Sequence, residues 1–248
     1  MCLISCNGEK MILKKIVKPF RKKPPEMPSE SYKTLTEAIK NTPEYTTKEV
    51  AIVKAGNKYY NASETRGASI TKINTKILER AYKYNKSKIV HTHISGLLKE
   101  LPASQDIAQL FFQHLKYNKS FTAISNIDKN TGEISGTVAI ALTSKSKKFI
   151  ESNFPKKINK LSGNNIEIYT KNLLKILRAE RKRAELKATA IANSKKGNNK
   201  VFIETYNTEL KKIMFDYFQK TLGLNIKFVP NTTNGYRFNK ERMAFEKI

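Results

Sequence analysis

The sequence predicts an α+β fold: a mixed sheet with flanking helices, followed by a basic and mainly helical C-terminal region. Three patterns carry that expectation. Between residues 33 and 155, short apolar runs bounded by turn residues alternate with stretches of helical periodicity. Over most of residues 156–248, apolar side chains recur at the three- and four-residue spacing of a helix. No run approaches the ~18 apolar residues of a membrane span, and 248 residues suffice to bury a sizeable core.

The elements follow in chain order. "KMILKKIVKPFRKK" (10–23) holds seven basic residues and no acid, and "PPEMPSES" follows with three prolines, so residues 1–32 read as a basic arm and extended linker. Leu35 and Ile39 share one side of a short helix at 35–41, which ends before Pro43 because the residue preceding proline avoids helical geometry. "KEVAIVKAGNKYYNAS" reads as two strands around the turn at Gly56, "TKILERAYKYN" as a helix with Ile77, Ala81 and Tyr84 near one face, and "KIVHTH" as a strand. In "SQDIAQLFFQHLKY", Ile107, Leu110, Phe111 and His114 stand at i, i+3, i+4 and i+7. "FTAISNI" and "EISGTVAIAL" flank "DKNTG", a hairpin connection, so a mixed domain spans residues 33–155. Beyond it, "NIEIYTKNLLKILRAERKRAELKATAIANS" and the periodic residues from Ile203 to Tyr217 predict an antiparallel helical pair broken at Gly197. The tail "NIKFVPNTTNGYRF" suggests a hairpin with Asn234 and Gly235 in its turn.

The formal charge of +26 is spread along the chain, with +4 over residues 1–46, +10 over 47–150 and +12 over 151–248. A diffuse, lysine-rich excess reads as compositional bias as readily as an adapted surface, and it promotes loose binding to any polyanion, nucleic acid included. Cys2 and Cys6, the only cysteines, lie too far from any histidine to suggest a zinc finger and fit a reducing, cytoplasmic setting. Glu9 interrupts the first apolar run where a secretory signal would be continuous. No phosphate-cradling glycine loop is present, and the P-C-x-x-C of zinc deaminases is missing.

Chemistry concentrates in "IVHTHISGLLKELPASQD" (89–106). Alternation along a strand projects His91 and His93 from one face, about 6–7 Å apart at the backbone, where two imidazoles can converge on one ion. Thirteen residues after His93, Asp106 falls in the first turn of the next helix. There it either favours the helix N-terminus through the dipole or drops onto the ion as a third ligand. Two imidazoles, a carboxylate and an exchangeable position are what a catalytic zinc site needs.

"HTHISGLLKELPASQD" resembles the JAMM motif of MPN-domain (JAB-type) metallopeptidases, H-x-H-x(7)-S-x-x-D, commonly preceded by a glutamate on an upstream strand. "TKEVAIVKAG" supplies Glu49 in such a setting. The resemblance covers roughly residues 33–150 and implies the family's mixed sheet with its cytidine-deaminase-like layering. It also implies His91, His93 and Asp106 as Zn2+ ligands and Glu49 as catalytic base. The implied activity is hydrolysis of an amide bond by a zinc-activated water, as in isopeptidases, with a protein or peptide substrate, ubiquitin-like proteins among them. Glu64, Glu79 and Glu100 are rival carboxylates, with Glu64 next in rank.

Three departures stand out. Ile94 replaces the proline that usually follows the second histidine, and His93 and Asp106 are thirteen residues apart instead of eleven. The motif serine position, three before Asp106, is Ala103. Ser104 is offset by one and serves either as an oxyanion donor or as a plain helix N-cap. His114 reads as a core-edge histidine. Two other functions fit the same residues. One is a catalytically inactive MPN-like module that binds a protein partner. The other is nucleic-acid binding through the C-terminal half, where Arg178, Arg181, Lys182 and Arg183 cluster but Glu180 and Glu185 interrupt the patch.

Overall fold

A computed structural model describes residues 25–65, 71–84, 87–94, 101–153, 163–195 and 197–248. The basic arm and both cysteines lie outside the described residues. A capping box opens the first helix, α1 (Leu35–Lys40): Thr34 accepts from the Glu37 backbone N–H, and the Glu37 carboxylate accepts from that of Thr34. Strands β1 (Ala51–Ala55) and β2 (Lys58–Asn61) form the expected hairpin, turning at Gly56 with φ of +65°. A small pair, β3 (Ser63–Thr65) and β4 (Thr71–Ile73), precedes α2 (Thr75–Tyr82), which Asn74 caps.

Strand β5 (Lys88–Ile94) carries both histidines. It is followed by α3 (Ser104–Tyr117), β6 (Phe121–Ile127), β7 (Ile134–Leu142) and α4 (Ser144–Asn153). Helix α3 stops at Asn118, which takes the left-handed conformation that asparagine tolerates at a C-cap. Two long helices, α5 (Gly163–Ser194) and α6 (Asn199–Asp216), lead through a π-turn at Tyr217–Thr221 into β8 (Leu224–Pro230), β9 (Tyr236–Asn239) and β10 (Ala244–Lys247).

The α+β expectation holds as a six-stranded mixed sheet in the order β2-β1-β5-β6-β7-β8. Only β5 and β6 run parallel, joined through α3, so α3 runs back along β5 and its N-terminus lies beside the strand's C-terminal end. His91 and His93 share a face with Ile89, Ala51, Val53, Thr122 and Ile124 through the strand registers. Helix α2 packs on that face through Leu78 and Ala81, and α1 packs with Ile52 and Ile127 through Ala38 and Ile39.

The C-terminal region does not stand apart. Leu173, Leu177, Ala184 and Ala188 of α5 share one buried core with Ile107, Leu110 and Phe111 of α3, Ile124, Val138 and Ile140 of the sheet, and Leu210 and Met214 of α6. Moreover, β8 pairs along its full length with β7. The expected tail hairpin is therefore replaced: β8 completes the sheet, Gly235 closes a 3-10 turn at Thr232–Asn234, and β9 pairs with β10 instead. Leu177→Ala should cost about 2–5 kcal/mol, the usual range for a buried leucine. Amide exchange should speed up in β6 as much as in α5. Unchanged protection in β6 would mean that the helices fold as a separate unit.

Candidate metal centre

Three side chains converge at the end of β5. His91 Nε2 lies 2.9 Å from Asp106 Oδ1 and His93 Nε2 lies 3.4 Å from Asp106 Oδ2. The rings sit 5.1 Å apart at their centroids, inclined by 64°. One candidate ligand atom from each residue falls within 4.8 Å of the others. Donors about 2.1 Å from one tetrahedral ion stand roughly 3.4 Å apart. The His91–Asp106 and His93–Asp106 separations are of that order, while the full spread of up to 4.8 Å would contract as the side chains close on one cation. This arrangement is close enough to bind a metal ion.

The placement follows from local structure. Register sets Ala51 opposite His91, and beyond it the Thr92 N–H donates to the Val50 carbonyl at 2.9 Å while the Val50 N–H donates to Thr92 Oγ1 at 2.9 Å. One residue further along the same register comes Glu49 opposite His93, on the histidine face by alternation with Ala51. Glu49 accordingly lines the cleft with both histidines and Asp106. The rivals lie elsewhere. Glu79 accepts from Lys116 and Tyr117 at 3.1 Å each, Glu64 stays outside the cleft on β3, and Glu100 falls outside the described residues.

Asp106 serves the helix and the cluster together. Its Oδ2 accepts from the Ala103 backbone N–H at 2.6 Å, satisfying one donor at the start of α3. The carboxylate is nearly buried, with 11% of its side chain exposed. Burial alone would push its carboxyl up, but His91 and His93 more than offset that and hold the acid well below the usual carboxylate range. The acid is thus ionised, the state a ligand requires.

Several buried polar atoms here lack partners. His91 Nε2 has the distance of a hydrogen bond to Asp106 but not the alignment, and it finds no hydrogen-bond partner. The N-cap is Ala103, not the serine: Ser104 is the first helical residue, buried at 5% exposure, and its Oγ is unpartnered. The capping role expected of Ser104 is overturned because the Asp106 side chain reaches back to Ala103 instead. Gln113 Oε1 is also buried and unpartnered. Unpaired polar atoms cost roughly 1–3 kcal/mol each, a sum that a protein retains when a ligand or ion completes them.

All three line one cleft of 520 Å3, whose walls are β5, α3, Glu49 and, unforeseen from sequence, Arg181 of α5 with Leu210, Lys211 and Met214 of α6. The one advance signal was a glutamine at every fourth position of α3 (Gln105, Gln109 and Gln113), all of which line the cleft. His114 stays out, half-buried, its Nδ1 3.2 Å from Ser120 Oγ. Burial and the nearby Lys147 push its imidazole below the ordinary value. No described helix is long and apolar enough to cross a membrane. Comparison with protein-family models, with curated proteins and with solved structures gave no match to the chain.

Proposed function

We propose that the chain is a zinc-dependent metallopeptidase or isopeptidase of the JAMM/MPN type, with the layering of that family. The observation that carries the reading is the meeting of His91, His93 and Asp106 in one cleft with Glu49. The donor set fits Zn2+, which accepts two imidazoles and a carboxylate and keeps a fourth position open. When bound, zinc supplies a Lewis acid that polarises an amide carbonyl and acidifies water. The chain's residues do the rest. Glu49 takes the proton of the attacking water and delivers it to the leaving nitrogen. Ser104 Oγ, buried and unpartnered beside Asp106, donates to the carbonyl oxygen as charge develops there, filling the role for which Ala103 has no hydroxyl.

The test is cleavage of a panel of peptide and isopeptide substrates, ubiquitin-like conjugates included. Turnover should vanish on chelation and return with zinc. No turnover with zinc bound would favour the inactive module, a reading that rests on Ala103. Ser104→Ala separates the serine's roles: kcat should fall about 10²–10³-fold. Thermal stability should hold or rise, since a buried hydroxyl without a partner is removed. A drop in stability with kcat unchanged would return Ser104 to a purely structural part.

The basic face of α5 supports nucleic-acid binding less well. Arg181 pairs with Glu185 and Arg183 with Glu180, the pattern of a solvated helix laced with ion pairs.

A further inference from the structure

The metal cluster and Glu49 leave much of the cleft unused. Asp106, Gln109 and Gln113 all line it from one helix, α3, at positions i, i+3 and i+7, and so form a single stripe. Along the helix axis Gln109 stands about 4.5 Å beyond Asp106, and Gln113 about 10 Å. Because α3 runs back along β5, that direction leads from the histidines toward Ile89, which lines the same cleft. Gln109 is half-buried. Gln113 is 1% exposed, and its Oε1 is a buried acceptor with no hydrogen-bond partner. An oxygen placed in this way is completed by a group that brings an N–H or O–H to it.

We propose that the glutamine stripe of α3 binds the main chain of the substrate: a peptide lies extended along the helix, and Gln113 Oε1, with Gln109 one turn nearer the metal, accepts from its backbone N–H groups. This deepens the peptidase reading and rests on it for the bond that is cut. The match of two repeats carries the inference. Residues four apart on a helix are separated by about 6 Å along its axis, and N–H groups on one edge of an extended peptide recur every second residue, about 6.7 Å apart. Two glutamines one turn apart therefore meet alternate N–H groups of one strand, within the reach of flexible side chains. The residue that meets Gln113 stands roughly three positions from the scissile amide, since 10 Å spans about three extended residues. Main-chain contacts of this kind give affinity without reading side chains. The cleft thus selects an extended stretch of chain, because the N–H groups of a helix or sheet are already bonded.

The experiment uses the zinc-loaded full chain and fluorescein-labelled alanine-based peptides in which one backbone amide at a time is replaced by an ester, which removes that N–H and keeps the side chain. Binding is read by anisotropy and cleavage, where it occurs, as kcat/KM. Two positions, two residues apart, should be sensitive, each ester weakening binding about tenfold. Exchanging alanine for valine at those positions should change binding little. Gln113→Met, close to glutamine in shape but without the acceptor, should remove the sensitivity at the position farther from the metal and leave the other. Gln109→Met should do the reverse, and it tests the stripe at a half-buried side chain. Ester peptides that all bind like the parent, or a sensitivity that both methionine variants leave in place, would overturn the proposal, as would a chain that binds no peptide. Ester-sensitive binding without cleavage of any peptide would keep the stripe and refute the peptidase reading alone. Cleavage with no ester-sensitive position would overturn the stripe alone.

Discussion

Replacing His91 with alanine should reduce bound zinc from about one per chain to nearly none. The loss should exceed the tenfold to hundredfold drop in affinity that follows removal of a residue merely hydrogen-bonded to a ligand. Amide hydrolysis should disappear with the metal. The reason is geometric: His91 Nε2 is one of three donors packed within 4.8 Å, and the remaining pair, His93 and Asp106, cannot hold a divalent cation against water. The metal-free variant should also be somewhat less stable, because the buried Asp106 carboxylate loses its nearest imidazole and keeps only His93 and the Ala103 N–H. His114→Ala provides the contrast. That ring lies beside Ser120, away from the cleft, so zinc content should match the unmutated chain. Equal metal loss in both variants would trace the effect to damaged packing rather than to coordination.

Glu49→Gln should leave zinc content and thermal stability unchanged and lower kcat by about 10²–10⁴-fold, the span typical of a lost general acid–base group. Glutamine keeps the shape and can still hydrogen-bond, but it cannot accept and return a proton at neutral pH. A glutamate that merely begins a strand would be silent in the same assay. The position argues otherwise, since Glu49 extends the register in which Ala51 faces His91 and lines the cleft that holds all three candidate ligands. KM should move little, because the residue acts on the proton rather than on the bound ground state.

Much of this geometry is written into short stretches of chain. The apolar stripe of "SQDIAQLFFQHLKY" delimits α3 as Ser104–Tyr117, and "FTAISNI" delimits β6, because each pattern has one period and flanking turn residues. The His91, His93 and Asp106 cluster was legible for a related reason. Strand alternation fixes the histidines on one face, and a βα crossover brings the next helix start above the strand's end. Helix α4 was missed because "SKSKKFIESN" buries only Ile150 and Ser146, too little to show a periodic face. The tail misled for a longer-range reason. Asn234 and Gly235 carry a hairpin signal, yet β8 finds its partner in β7, more than eighty residues upstream, where burial of Leu224 and Ile226 against the core outweighs local turn preference. Arg181 and Lys211 gave no hint of the cleft, since only the packing of α5 and α6 over α3 and the sheet carries them there.

Zinc K-edge X-ray absorption on the purified, zinc-loaded chain tests the central claim most directly. A first shell of nitrogen and oxygen at about 2.0–2.1 Å, with outer-shell scattering from two imidazoles, is the predicted spectrum. Sulfur at about 2.3 Å would place the metal on Cys2 and Cys6, and a chain that takes up no zinc at all would show that His91, His93 and Asp106 meet for structural reasons alone.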